Sequence, residues 1–256
     1  MRHLFILLIL LSLAGVGHAE LRILGEESPP GEYLDAKGNP AGVTIDLVKS
    51  LLQRQGIDAT IRILPWKRAY AMGLQESNIA LMETTRTPER EELFKWVGPI
   101  LVVKRIVYRK AGDDVVLRTV EDLKQAPGIC VLRGSSNESY LQSLGITHLY
   151  AVTKPRQCLK MLDNDRVELF YTSEIGMAGL LEKQGIASER YQAVLHLKNE
   201  YLYLAFSRDV SQARIQRWQA ALEDAKRDGT VARIYEGTYS KETIAEICQP
   251  GDPLER

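Results

Sequence analysis

The chain has 256 residues, with 33 Lys and Arg against 33 Asp and Glu, so its formal charge at pH 7 is zero. A neutral chain without a basic block argues against a nucleic-acid or anionic-membrane surface. Its length and 45% apolar content allow one large domain or two lobes, each with its own core.

Met1, Arg2 and His3 form a short basic start, residues 4–13 are almost wholly apolar, and Gly17 and Ala19 put small residues at a cleavage position. This pattern predicts a secretory signal peptide over 1–19, cut after Ala19 and too short for a membrane anchor. The mature chain then has about 237 residues, with 32 basic and 33 acidic side chains. The residue directly after the cut is Glu20 and not Cys, which argues against a lipid anchor, and no later run approaches a spanning helix, so a soluble, exported protein is expected. Cys130, Cys158 and Cys248 all lie in the mature part, which in an oxidising compartment points to one disulfide and one cysteine left over.

Residues 21–24 read as a strand, 29–31 as a loop and 35–39 as a turn. Ile45, Val48, Leu51 and Leu52 recur with a helical period over 45–55, closed by Gly56. A strand follows over 59–64, a short helix over 65–74 and a strand over 79–82. The next stretch carries the most chemistry: Glu83, Thr84, Thr85 and Arg86, then Thr87, Pro88, Glu89 and Arg90. Hydroxyls at a strand end, a helix opened by Thr87 and Pro88, and an Arg in its first turn make an anion socket. Arg90 offers a two-pronged donor for a carboxylate.

Residues 101–103 and 106–108 read as a strand pair or a crossover. The pattern then restarts: a helix over 120–123, a strand over 128–132, a helix opened by Gly134, Ser135, Ser136 and Asn137 and running to 144, and a strand over 149–152. A helix over 155–162, a strand over 167–171 and a helix over 175–184 follow. A strand over 201–207 and helices over 210–228 and 230–235 close the chain. Two alternating blocks imply two lobes, and ligands of open α/β sheets sit at the carboxyl ends of the strands. Glu26, Glu27, Trp66, Glu83, Thr85, Ser135, Ser136 and Ser173 all follow strands and should line one crevice. In the second block, Cys130 is on its first strand and Cys158 on a helix expected to pack across that sheet, so this pair is the predicted disulfide.

With Leu21-Arg22-Ile23-Leu24, Gly42-Val43-Thr44-Ile45-Asp46-Leu47, Pro65-Trp66, Thr87-Pro88-Glu89-Arg90, Gly134-Ser135-Ser136 and Asp228-Gly229-Thr230 in this order, the mature chain resembles the periplasmic solute-binding proteins of the polar amino-acid type. The resemblance implies an α/β, two-lobed periplasmic-binding-protein fold (type II), each lobe a mixed sheet with helices on both faces and a ligand cleft between them. The expected division is lobe 1 over 20–102 plus 203–256 and lobe 2 over 103–202, with hinge crossings near 101–104 and 201–204. It implies a monomeric, periplasmic, non-enzymatic protein that captures a small carboxylate-bearing ligand for the membrane permease of an ABC importer, with no cofactor, metal or nucleic acid.

In the family the Arg of this motif binds the ligand carboxylate, which carries over to Arg90. The strand-end hydroxyl corresponds to Thr85, the apolar wall to Trp66, and the second-lobe turn to Gly134, Ser135 and Ser136. The expected ligand set adds Glu26, Tyr33, Glu83 and Ser173. One departure stands out. Members that bind α-amino acids carry an Asp for the ligand's ammonium where this chain has Ser173. Either Glu174 replaces it, or Glu26, Glu27 or Glu83 does, or the ligand is not a simple α-amino acid. Glu83 also has the alternative of pairing with Arg86. Two other functions are open: a component presenting ligand to a membrane receptor, and a cleft lyase or dehydratase, for which Glu83 and Glu174 are the acid/base candidates.

Overall fold

The structure, a computed structural model, describes residues 20–113, 117–249 and 251; the expected leader over 1–19 lies outside the described residues. The alternation of the sequence becomes β1 (Leu21–Gly25), a short hairpin of β2 (Tyr33–Leu34) and β3 (Pro40–Ala41), α1 (Val43–Gln55), β4 (Ala59–Ile63), α2 (Trp66–Gln75), β5 (Ile79–Thr85) and α3 (Pro88–Glu91). The second block is α4 (Val120–Gln125), β7 (Ile129–Leu132), α5 (Ser136–Ser143), β8 (Leu149–Val152), α6 (Arg156–Asp163), β9 (Leu169–Ser173) and α7 (Glu174–Gln184). Helices α8 (Gln212–Arg227), α9 (Thr230–Tyr235) and α10 (Lys241–Ile247) return to the first block.

Two strands of 16 residues join the blocks: β6 (Lys95–Lys110) and β10 (Tyr191–Phe206), antiparallel to each other. The sheet order is β4-β1-β5-β10-β6-β9-β7-β8. Strand β5 pairs with the end of β10 at Leu202–Phe206, whereas β9 pairs with the later part of β6 at Arg105–Tyr108. The sheet therefore passes from one lobe to the other between these two stretches. Each half-sheet is covered on both faces. In the first, Ile23, Ile45, Leu51, Phe206 and Trp218 fill one side and Leu24, Ala69, Leu81 and Phe94 the other. In the second, Leu159, Leu162 and Phe170 face one way and Leu123, Ile129 and Leu141 the other. Parallel strands buried on both faces need such near-continuous apolar runs. The result is the two-lobed α/β fold with helices on both faces of each sheet.

Several boundaries differ from the sequence reading. Strand β5 runs three residues past 82 and takes in Glu83, Thr84 and Thr85, and β9 lies two residues later than 167–171. Strand β10 starts ten residues before 201, because register shifts at Ala193–Leu195 and His196–Lys198 break the alternation that marks a strand. The hairpin β2–β3 and α10 are additional to the sequence reading.

Cys130 and Cys158 are joined, with Cα atoms 5.5 Å apart, and Cys248 is free. Both bonded cysteines are fully buried, Cys158 on the inner face of α6 and Cys130 on β7. The bridge closes a 28-residue separation, worth roughly 3 kcal/mol in the chain-entropy account. Replacing both cysteines by alanine should lower the urea-unfolding free energy by about that amount; a loss below roughly 1 kcal/mol would show that packing alone holds α6 on its sheet.

Candidate functional site

Strand ends from both lobes converge on an inner cavity of about 110 Å³. The first lobe contributes Glu26 after β1, Trp66 at the start of α2, Glu83 and Thr85 from β5, and Arg90 from α3; the second contributes Ser135 and Ser136 at the start of α5 and Ser173 at the end of β9. A more open groove of about 950 Å³ beside α1 and α8 is larger, but exposed charges of both signs, such as Arg54, Asp209 and Asp224, line it.

Arg90 dominates the inner cavity. It is buried, its guanidinium lies 5.3 Å from the Trp66 ring centroid and 5.0 Å from that of Tyr70, and Nη1 donates a long bond of 3.4 Å to the Thr85 carbonyl. Burial lowers its pKa, with Tyr70 and Glu200 opposing. Among the described residues no carboxylate is within ion-pair distance of it. A buried cation held by two rings, the Tyr70 hydroxyl and one long carbonyl bond has no opposite charge in contact to offset its desolvation. The socket differs locally from the sequence reading. Helix α3 has only four residues, and Thr87 takes the cap position without a side-chain cap bond. Of the anion socket expected at this helix start, the Arg90 side chain is the part the structure keeps, since so short a helix adds little dipole.

A second guanidinium, Arg105 of β6, lines the same cavity but is already matched. Its Nε donates to Glu200 Oε2 at 2.5 Å, and Lys198 reaches the other Glu200 oxygen at 2.8 Å. Burial alone would raise the Glu200 pKa, but Arg105 and Lys198 outweigh it and hold the carboxyl below its ordinary value. Thr85 donates to the same Glu200 oxygen at 3.1 Å. This network lies where β6 and β10 pass between the lobes, so it fixes the floor of the cleft. Sequence reading missed Arg105 and Glu200. A partial signal was present: each crossing strand carries a charged stretch, Lys104 and Arg105 in β6 and Lys198 and Glu200 in β10, beside apolar runs.

Glu83 owes its direction to a bulge. Opposite Tyr203 and Ala205 of β10, β5 carries an extra residue between Leu81 and Thr84, and Glu83 has φ +42°, in the left-handed region that non-glycine residues seldom adopt. Its Oε1 accepts from Thr44 Oγ1 at 2.5 Å, while Arg86 forks onto Glu91 at 2.6 and 2.7 Å. Burial pushes Glu83 up to about 7, against the hydrogen bonds from Thr44 and Ser28 and the charge of Arg105. Glu26 is also pushed up to about 7, by burial and then by Glu83, with Arg105 and Arg90 opposing. Glu32, accepting from the Glu26 amide at 3.0 Å, is also raised well above its ordinary value, again by burial first. The first lobe thus brings a cluster of carboxyls to the cleft, with Glu26 and Glu83 on the cavity wall.

The lobes meet across the site. Trp66 Nε1 donates to the Gly134 carbonyl at 2.8 Å, and Ser136 Oγ to Thr85 Oγ1 at 3.1 Å. Lys183 pairs with Glu27, and α7 packs so closely on Pro29 that a Cβ on Gly179 would collide with its carbonyl. This is a closed cleft. Lining the cavity on the second lobe, Asn137 Oδ1 and Tyr171 OH are buried and have no hydrogen-bond partner among the described residues.

Three expected ligand residues serve otherwise here. Tyr33 is not on the inner cavity: its ring lies 5.7 Å from Lys183 Nζ and lines an outer groove, because the β2–β3 hairpin turns it away. Gly134 takes a left-handed turn, φ +70°, and its amide is bonded to Glu138, so it positions Trp66 and α5 without lining the cavity. Ser173 lines the cavity, but its hydroxyl caps α7 by accepting from Gly176 N at 3.0 Å. Glu174 faces the outer groove with Tyr33, and one of its oxygens is buried without a partner among the described residues. Glu83 and Glu174, the acid/base candidates expected from the sequence, therefore line different concavities.

The sequence model of the bacterial extracellular solute-binding proteins, family 3, matches residues 21–240. A probable histidine-binding protein of Neisseria gonorrhoeae is 20% identical over 225 residues, covering 84% of this chain and 81% of that protein. Among solved structures, an ancestral arginine-binding protein bound to arginine superposes with a TM-score of 0.76 at 20% identity, covering 86% of this chain and 98% of its own. A histidine kinase sensor domain with similarity to periplasmic binding proteins gives a TM-score of 0.80 at 15% identity, with 87% and 97% covered.

Proposed function

Because the chain belongs to the bacterial extracellular solute-binding proteins, family 3, we propose that it captures an amino acid or closely related small carboxylate in the periplasm and delivers it to the permease of an ABC importer. The observation that carries this reading is Arg90, a buried guanidinium on the wall of an interlobe cavity, without a carboxylate partner among the described residues. The ligand's carboxylate binds Arg90, with Thr85 and the Ser135–Ser136 turn around it. Trp66 covers its body. The ammonium is met by Glu26 and Glu83, since the Ser173 hydroxyl caps α7 and Glu174 faces away. The arginine- and histidine-binding relatives support an amino acid as the ligand class. Likeness to a histidine kinase sensor domain supports a second reading, in which the loaded protein docks on a membrane receptor.

The lobes, 20–102 with 203–256 and 103–202, turn about β6 and β10, and ligand shifts the population toward the closed state. Calorimetric titration with the common amino acids should find at least one binder, and small-angle scattering should show the radius of gyration falling when that binder is added. A verified, saturating ligand that leaves the scattering unchanged would remove the trap mechanism. Flanking genes for a permease and an ATPase would favour import over reception.

A further inference from the structure

The inner cavity, at about 110 Å³, is small for a ligand site, where roughly 300–1,000 Å³ is usual. It adjoins a second cavity of about 430 Å³, and the two share Glu26, Glu27, Pro29, Trp66, Pro155 and Leu180. The outer cavity has a different chemistry. Leu34, Ile63, Leu64 and Pro65 of the first lobe face Pro155 and Leu180 of the second across it, and its wall is mostly apolar. Its charged lining residues are Glu26, Glu27, Lys154, Arg156 and Lys183, of which Lys183 pairs with Glu27. Polar recognition is concentrated in the inner cavity, around Arg90, Glu83 and the α5 turn. Trp66 lines both cavities, held by its indole N–H on the Gly134 carbonyl and by the Arg90 guanidinium and Tyr70 against its ring, so it forms the wall where the two cavities adjoin.

Resting on the reading that Arg90 anchors a carboxylate, we propose that the ligand is amphipathic: an amino acid with a large apolar substituent, its charged end in the inner cavity and its apolar body past Trp66 in the outer one. Both lobes line the outer cavity, so an apolar body there helps to close the cleft as well as to fill it. Apolar length then sets specificity. Each methylene newly buried in such a cavity should tighten binding about fourfold.

The test is a calorimetric series on the full mature protein: alanine, 2-aminobutanoate, norvaline, norleucine and 2-aminooctanoate, with glutamine and arginine as polar members of similar reach. A companion variant, Thr153→Trp, fills the outer cavity from an exposed loop position that does not line the inner one. Affinity is expected to climb along the apolar series and to exceed that for glutamine and arginine. The variant should lose this gain while binding alanine as the wild type does. Equal affinity along the series, or a wild-type profile in Thr153→Trp, would overturn the proposal and leave the carboxylate anchor standing. If no member binds in a manner that Arg90→Ala abolishes, the underlying reading falls, and the proposal with it.

Discussion

Arg90→Ala should weaken binding of any carboxylate ligand by roughly thirty-fold to several thousand-fold, the cost of removing one partner from a buried charged pair. The same substitution should leave the ligand-free protein as stable as the wild type, or slightly more so. The reason is the asymmetry of the site. In the closed cleft the guanidinium is buried against Trp66 and Tyr70 without a carboxylate partner among the described residues, so its desolvation is incompletely offset by the protein itself. Ligand supplies the missing charge. Calorimetry with the tightest amino acid, paired with thermal unfolding of the free protein, separates the two effects. Wild-type affinity in the variant would remove Arg90 from the site, and a large stability loss would make it a structural residue.

The carboxyl cluster should make both stability and binding depend on pH near neutrality. Glu26 and Glu83 titrate at about 7 in the folded protein against an ordinary value of 4.5, chiefly because they are buried. A raised folded pKa means that the folded state holds its protons more tightly than the unfolded chain. The stabilisation is therefore complete below about 4.5 and is lost as pH rises through about 7. The ligand-free unfolding free energy should fall between pH 5 and pH 8, by an amount on the order of a few kcal/mol at most, and the melting temperature should fall with it. Arg105 and Arg90 face these carboxyls and limit the effect. Binding of an ammonium-bearing ligand should run the other way, since it needs the ionised acids, so affinity should rise over the same window. Glu83→Gln should flatten both profiles. A stability profile of wild-type shape in that variant would assign the pH dependence elsewhere.

The architecture was readable because its signals are strong and local. The helical period of Ile45, Val48, Leu51 and Leu52, the left-handed Gly56 that ends α1, and apolar runs such as 79–82 each act within a few residues. The pairing of Cys130 with Cys158 followed from placing one on a strand and the other on the helix across it. The cleft was readable as a set of strand ends, and most of the expected residues meet there. What sequence could not supply was direction. Tyr33 is close in sequence to Glu26, yet a two-residue hairpin strand turns it outward. Gly134 was expected to meet the ligand, whereas its backbone is engaged by Glu138 and Trp66. Arg105 and Glu200 are 95 residues apart in the chain and become partners only through the register of β6 against β10, which no local pattern encodes. The bulge that turns Glu83 toward Thr44 is likewise a property of strand pairing.

The central claim is that one ligand is held from both lobes, by Arg90 on the first and the α5 turn on the second. A crystal structure of the complex with the tightest amino acid tests it most directly. The ligand's carboxylate should lie within hydrogen-bond distance, about 3 Å, of the Arg90 guanidinium, with Ser135 or Ser136 on the same ligand and its ammonium facing Glu26 or Glu83. A ligand whose carboxylate lies away from Arg90, or one that touches a single lobe, would contradict it.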